Sequence, residues 1–265
     1  MIAPNHFKTN SYTNAGVPAS VLPAKLDVVL PAYNEEASID LLLQNAIDVV
    51  APLPQSARII VVDDGSTDET AGIVRSFAAQ GVELVSHGRN RGLHEAVRSG
   101  LLEALDGIAE DGVIVVMDAD NTHHPELIPQ MLERIEAGAD VVIASRFAPG
   151  GKMIGAPFIR RVYSLGARTL LSLRYPTCGA RDFTCGYRAY RAATLKKAFA
   201  RWGPEFISVT GFACMLDILL RLHSIGAKIE EVPLVLRYDL KQSTSKLRVL
   251  RTVRNTLRLL VPRGD

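Results

Sequence analysis

The run Val113-Ile-Val-Val-Met-Asp118-Ala-Asp120-Asn-Thr-His-His-Pro125 decides how this chain is read. Five apolar residues, mostly β-branched and without helical period, predict a strand buried on both faces, as in a parallel sheet covered by helices. Open α/β sheets take their ligands in the crevice outside the carboxyl ends of the strands. Asp118 and Asp120 therefore fall at the ligand edge. Spaced two apart on an extended chain, they lie on one side of it and can grip a hard divalent cation, Mg2+ or Mn2+, that also holds substrate phosphates. The competing reading is a solvated turn ahead of a helix, with Pro125 in the first helical turn.

Working outward, short apolar runs at 26–30, 58–63, 82–86, 113–118 and 140–145 alternate with amphipathic stretches near 37–50, 67–79, 91–106, 125–137 and 157–173. Repeated βα units of this kind predict an α/β fold with a mostly parallel central sheet and helices on both faces. Ser66-Thr-Asp-Glu69 reads as a capping box opening the second helix. Beyond residue 174 the alternation breaks down. Residues 175–190, rich in Gly, Cys, Thr and aromatics, read as an irregular wall of the site, followed by a helix near 211–224 and one more strand at 228–238. The expected organisation is a flexible arm at 1–24, one domain at 25–244 and a basic amphipathic helix at 245–265.

Length, charge and cysteines set bounds. A chain of 265 residues, 48% hydrophobic and 22% charged, is globular in composition. A net charge of +2 gives no support to bulk nucleic-acid binding. Three cysteines without metal-ligand spacing fit a reducing compartment. No stretch reaches the roughly 18 apolar residues of a membrane span, and the polar start lacks a signal-peptide core. The expected location is cytoplasmic, peripheral on the cytoplasmic face of the membrane.

The first strand ends in Pro31-Ala32-Tyr33-Asn-Glu35-Glu36 and the second in Asp63-Asp64-Gly-Ser-Thr-Asp68, both at the ligand edge. An aromatic ring and carboxylates there suit a nucleoside, with the ring against the base and the carboxylates accepting from base N–H or ribose hydroxyls. No Gly-x-Gly-x-x-Gly follows the first strand, which argues against a dinucleotide-binding oxidoreductase, and Pro149-Gly-Gly-Lys152 lacks P-loop spacing. A phospho-acceptor receiver would use Asp63-Asp64 but leaves Asp118 and Asp120 unexplained. His123 and His124, ahead of Pro125, suit helix-cap or supporting roles better than a hard-ion site.

Taken together, Asp63-Asp64-Gly-Ser, Asn90-Arg-Gly92-Leu-His-Glu-Ala96, Asp118-Ala-Asp120, Ala144-Ser-Arg146, Asp182-Phe-Thr-Cys-Gly-Tyr-Arg188 and Gly211-Phe212 ahead of Asp217 resemble the family 2 glycosyltransferases of the GT-A fold. Within them the chain is most similar to dolichyl- and polyprenyl-phosphate mannose synthases, over about 26–248. The resemblance implies a nucleotide site from Pro31, Ala32, Tyr33, Glu35, Asp63, Asp64, Asn90, Gly92 and Asp118. It places metal and diphosphate on Asp118 and Asp120, and the acceptor phosphate on Arg146, Arg160 and Ser164. Arg237, Lys241 and Lys246 would meet the diphosphate. The chain departs from the family in Asn121-Thr122 after the metal aspartates, in Asp217 where Glu is commoner, and in the register of Arg237.

The implied reaction is inverting transfer of a hexose, of mannose or glucose type, from a GDP- or UDP-linked sugar to a lipid monophosphate. One alternative is transfer to a carbohydrate or small-molecule hydroxyl with Asp217 as base. Another is a non-catalytic nucleotide-binding subunit of a membrane complex. A nucleotidyltransferase is disfavoured, because no Gly-rich loop with Arg and Lys follows the first strand. In the last stretch, Leu247, Leu250, Val253, Leu257 and Leu260 share one helical face flanked by Arg248, Arg251, Arg254 and Arg258, a pattern suited to an anionic membrane surface.

Overall fold

The computed structural model describes residues 25–240 apart from Thr177, and the backbone alone of Arg160, Tyr163 and Leu240. The expected arm at 1–24 and the C-terminal helix at 245–265 lie outside the described residues, as do Lys241 and Lys246.

Seven strands form the central sheet in the order β3-β2-β1-β4-β7-β5-β8. They are β1 (Lys25–Ala32), β2 (Ser56–Asp63), β3 (Val82–Ser86), β4 (Val113–Val116), β5 (Val141–Ser145), β7 (Arg188–Arg191) and β8 (Ile229–Pro233). β1, β2, β3 and β4 pair in parallel, as do β5 and β8. β7 runs antiparallel between β4 and β5. The hydrophobic reading holds for β4, which is buried at every position with Val113 through Met117. Such burial on both faces is what α1 (Ile39–Val50), α2 (Thr70–Ser76), α3 (Leu93–Leu105) and α4 (Ile128–Glu136) provide by covering the sheet.

The chain runs outward from β1 to β2 to β3, then returns through α3 to place β4 on the other side of β1. The strand order therefore reverses between β1 and β4, the position where open α/β sheets form their ligand crevice. That point separates Tyr33 and Glu35 from Asp118 and Asp120.

Several local readings are corrected. The capping box does not form: α2 starts at Thr70, Glu69 is its N-cap without a side-chain cap bond, and Ser66 Oγ instead accepts the Asn34 N–H at 2.9 Å. The stretch 228–238 is two strands, β8 and β9 (Val235–Arg237), and β9 pairs in parallel with β6 (Lys152–Ile154) in a separate ribbon. Within 175–190 the irregular reading holds as far as Tyr187, but Arg188 begins β7. Its four residues, Arg-Ala-Tyr-Arg, show no strand pattern, because Arg188 is fully buried with its guanidinium donating to the Met215 and Phe183 carbonyls. α6 (Ala192–Trp202), unforeseen, follows directly; α5 (Phe158–Arg174) and α7 (Ala213–Ser224) complete the helices. Among the described residues no helix is long and apolar enough to cross a membrane.

Gly100 marks the closest approach of α3 to the sheet: a Cβ there would overlap Val29 Cγ1 and sit 3.0 Å from Val62 Cγ2. Gly100→Ala is expected to destabilise by about 1–3 kcal/mol through overpacking, read as a fall of several degrees in melting temperature. An unchanged melting temperature would show that α3 rides farther from β1 and β2 than described.

Candidate active site

Because β1, β2, β4 and β5 are parallel, their carboxyl ends bring Tyr33 and Glu35, Asp63 and Asp64, Asp118 and Asp120, and Arg146 to one edge. The antiparallel β7 starts at that same edge, where Arg188 pairs with Val116 and Ile143, so the segment 182–187 also arrives there.

The β1–α1 and β2–α2 loops are clasped together. Asn34 Oδ1 accepts the Thr67 N–H at 2.8 Å, the Thr70 hydroxyl accepts the Glu35 N–H at 2.8 Å, and Glu36 Oε2 accepts the Glu69 N–H at 3.0 Å. Asn34 adopts a positive φ of 51°, which Asn tolerates better than most side chains. Ser38 then bridges to the Asp118–Asp120 segment, its hydroxyl within 3.2 Å of both Glu35 Oε2 and the Ala119 carbonyl. Pro31 and Tyr33 are half-buried, Ala32 and Glu35 buried.

Asp63 and Asp64 differ in their duties. Asp63 Oδ1 accepts the Ser66 N–H at 3.0 Å, and Ser86 Oγ approaches Oδ2 at 3.3 Å. Asp64 is turned inward, where its carboxylate accepts the Arg91 N–H at 2.9 Å and the Gly92 N–H at 2.8 Å and meets His87 Nδ1 at 2.8 Å. His87 Nε2 in turn reaches Ser99 Oγ at 3.0 Å. Gly65, at φ 71°, lies against the Arg89–Asn90 backbone, which any Cβ would overlap. Asp64 and Gly65 thus fix the loop that carries Asn90, which is itself exposed.

The Asp118–Asp120 segment closes on itself. Asp120 Oδ1 accepts from the Thr122 N–H at 3.1 Å and hydroxyl at 2.6 Å, and Asn121 takes a positive φ of 59° between them. A turn of that shape explains why Asn121-Thr122 occurs here. His123 Nδ1 accepts the Asp118 N–H at 3.2 Å and stacks on Tyr187 at 5.2 Å, so this imidazole supports the turn. Gly186 abuts Asp118, where an added Cβ would lie 3.3 Å from Oδ1. Among the described residues no three His, Cys, Asp or Glu side chains gather as a metal cage. Two carboxylates and no soft ligand suit Mg2+ or Mn2+, which retain water and complete their shell with substrate phosphates.

Across the edge, Arg146 is buried in a closed pair with Asp182. Nε donates to Oδ2 at 2.7 Å and Nη2 to Oδ1 at 2.6 Å, and Nη2 also reaches Thr184 Oγ1 at 2.7 Å. Nη1 faces the buried Ser164 hydroxyl at 3.5 Å. Burial pushes Asp182 up, but the Arg146 charge and hydrogen bonds outweigh it and hold the carboxyl below its usual value. Desolvation likewise opposes the Arg146 charge, and Asp182 overcomes it. Asp182 and Thr184 were visible in the sequence as a motif, yet not as the partners of Arg146. Arg160 lies in the first turn of α5, described by its backbone alone.

Asp217, in the first turns of α7, is buried and accepts from Arg221 Nε at 3.2 Å. Arg237 is at the end of β9, its N–H toward the Thr122 carbonyl at 3.4 Å and its guanidinium on Asp239 at 2.7 Å. Cys178, Cys185 and Cys214 are buried and unbridged, with thiols pushed by burial to about 11, 12 and 12, as inert core residues should be.

A mostly parallel sheet with carboxylates gathered at its switch point is the frame of a GT-A glycosyltransferase, and the class is given by the sequence match: residues 27–199 match glycosyl transferase family 2, and the chain belongs to it. More particularly, it is 34% identical over 224 residues to the polyprenol monophosphomannose synthase of Mycolicibacterium smegmatis, covering 82% of this chain and 79% of that protein. It is 36% identical over 212 residues to the undecaprenyl-phosphate mannosyltransferase of Micrococcus luteus, covering 78% and 81%. The dolichol-phosphate mannosyltransferase of Pyrococcus furiosus is 32% identical over 211 residues, but the match spans only 55% of that protein. Among solved structures, glucosyl-3-phosphoglycerate synthase from Mycobacterium tuberculosis, in complex with Mn2+, uridine diphosphate and phosphoglyceric acid, superposes with a TM-score of 0.65 at 23% identity, covering 91% of this chain and 80% of that one. That likeness is one of fold.

Asp182→Asn is expected to cost about 3–5 kcal/mol, because it leaves a buried guanidinium without its counter-charge. The stabilisation from a lowered carboxyl pKa is complete above the unfolded value near 4 and disappears as pH falls through the still lower folded value. The melting-temperature gap between wild type and Asp182→Asn should therefore narrow from about pH 5 downward; a gap that widens in acid would contradict the pairing.

Proposed function

We propose that this enzyme transfers a hexose, of mannose or glucose type, with inversion from a nucleoside-diphosphate sugar to a polyprenyl or dolichyl monophosphate. The observation that carries the reading is the meeting, at one sheet edge, of Asp118 and Asp120 with the buried Arg146 and Ser164. The names of the three relatives, all transferases acting on polyprenol, undecaprenyl or dolichol phosphate, support it.

In this reading Pro31, Ala32, Tyr33, Glu35, Asp63, Asn90 and Gly92 line the donor nucleotide, while Asp64 acts by holding the 87–92 loop. Asp118 and Asp120 hold Mg2+ or Mn2+, which when bound neutralises the departing diphosphate. The tuberculosis enzyme named above has been crystallised with either ion, which supports the choice. Arg237, beside Thr122, approaches the diphosphate, with Lys241 and Lys246 beyond the described residues. The acceptor is held by Arg160, by Ser164 and by the one edge of Arg146 not engaged by Asp182. A phosphate monoester is largely dianionic at neutral pH, its second pKa being about 6, so it attacks without a general base, and orientation of its oxygen is what the site must supply.

Transfer to a hydroxyl would need a base, and Asp217 is its candidate. Its carboxylate already accepts from Arg221, which favours the phosphate acceptor. For a lipid acceptor the enzyme works peripherally on the cytoplasmic membrane face, with the basic 245–265 stretch adding attraction to anionic lipid.

Release of nucleoside diphosphate from GDP- and UDP-sugars, with Mg2+ or Mn2+, is expected with a polyprenyl monophosphate and absent with the corresponding polyprenol. Turnover of the alcohol alone would overturn the reading. Asp118→Asn and Asp120→Asn should each lower kcat about 100-fold or more with unchanged circular dichroism; full activity in either variant with metal chelated would sink the metal assignment.

A further inference from the structure

We propose that the outward face of α5 is the surface by which this protein lies on an anionic lipid bilayer. The inference rests on the lipid-phosphate reading above for the acceptor, and on the geometry of α5 for the surface. One side of this 17-residue helix is built into the domain, where Ser164, Ala167 and Leu171 are buried. The opposite side carries Phe158, Ile159, Val162, Leu165, Leu170 and Leu173, all exposed, with Phe158 at 80%, Leu173 at 77% and Ile159 at 66%. On a helix of about 3.6 residues per turn these positions form one continuous stripe, interrupted only by Gly166 and Thr169. A soluble surface rarely leaves so contiguous an apolar patch uncovered. In the ribbon that leads into α5, Ile154 and Val235 are exposed as well.

Charge selects the occupant. α5 contains four arginines and no acidic residue. By helical position Arg161 and Arg168 flank one side of the stripe and Arg174 the other, Arg168 lying over the Phe147 ring at 5.0 Å and Arg174 over Tyr175 at 4.9 Å, and basic residues bordering an apolar stripe suit an anionic lipid surface. A second copy docked through the same face would set arginines against arginines. The segment 241–265 meets the same objection, since it has seven Lys and Arg and one Asp.

The placement also suits the chemistry. Ser164, on the inner side of the helix, faces Arg146 at 3.5 Å. With α5 lying in the headgroup layer, the acceptor site stands about one helix diameter, roughly 10 Å, above the bilayer. A phosphate on a long isoprenoid chain reaches that height.

The test uses the full chain, wild type and the triple variant Phe158→Gln, Val162→Gln, Leu173→Gln, whose exposed positions leave folding intact by circular dichroism and melting temperature. Sedimentation with phosphatidylglycerol–phosphatidylcholine vesicles should show wild type bound, at least tenfold less binding for the variant, and little binding of either to phosphatidylcholine alone. With a short-chain, water-soluble polyprenyl phosphate the two should turn over equally; with a long-chain acceptor in vesicles the variant should lose at least tenfold. Equal vesicle binding by variant and wild type would overturn the proposal. So would a wild-type dimer that the variant dissolves, in the absence of vesicle binding. Loss of vesicle binding by the variant, in a protein whose wild type turns over neither phosphate acceptor, would uphold the surface and refute the lipid-phosphate reading instead.

Discussion

The closed pair between Arg146 and Asp182 is the constraint on which the half of the crevice built by β5 and β7 depends. It joins the loop leaving β5 to the segment entering β7, two pieces of chain separated by 36 residues, through two side-chain bonds and a backbone N–H on the same carboxylate. A buried guanidinium and a buried carboxylate are each costly alone and tolerable only together. The pair therefore fixes where β7 begins, and with it Gly186 against Asp118, His123 against Tyr187, and the Nη1 edge turned to Ser164. The arginine fork is thus divided between holding the fold and presenting a charge to the crevice.

The half built by β1, β2 and β4 is fixed differently. There the sheet itself does the placing, since parallel β1, β2 and β4 deliver their carboxyl ends to one edge, and short polar side chains then tie loop to loop. Asp64 shows that a carboxylate at the ligand edge can serve the framework, since it accepts from the Arg91 and Gly92 N–H groups and meets His87, all in the 87–92 loop. A carboxylate in that place holds one wall of the crevice.

Much of this was legible in the chain and some was not, for physical reasons. The apolar run 113–117 could only be a strand covered on both faces, and from it followed the sheet edge and the place of Asp118 and Asp120. β7 was hidden because its burial is achieved with a charged residue: the Nη atoms of Arg188 donate to the carbonyls of Phe183 and of Met215, the latter 27 residues on, which no local pattern carries. Ser66 looked like a helix cap because its spacing to Glu69 was right, yet the Asn34 N–H, 32 residues away, claimed its hydroxyl first. The role of Arg146 was seen as ligand binding alone, because its partner Asp182 is fixed by tertiary packing and not by spacing. The exposed face of α5 was equally invisible, since a helical apolar stripe in a sequence does not say whether the core or the solvent lies opposite.

The ribbon of β6 and β9 has a consequence for how the two halves move. Each strand is three residues long, and the pair stands outside the seven-stranded sheet. Two short strands alone are marginal in water, and segments with so little support open at a small fraction of the global unfolding free energy. Yet this ribbon carries Arg237 to the Thr122 carbonyl on one side and leads through Gly155 into α5 on the other. The molecule is consequently stiff along the edge formed by β1, β2 and β4 and compliant at the ribbon that joins Arg237 to the start of α5, so that a bulky, variable chain can be admitted there without disturbing the sheet.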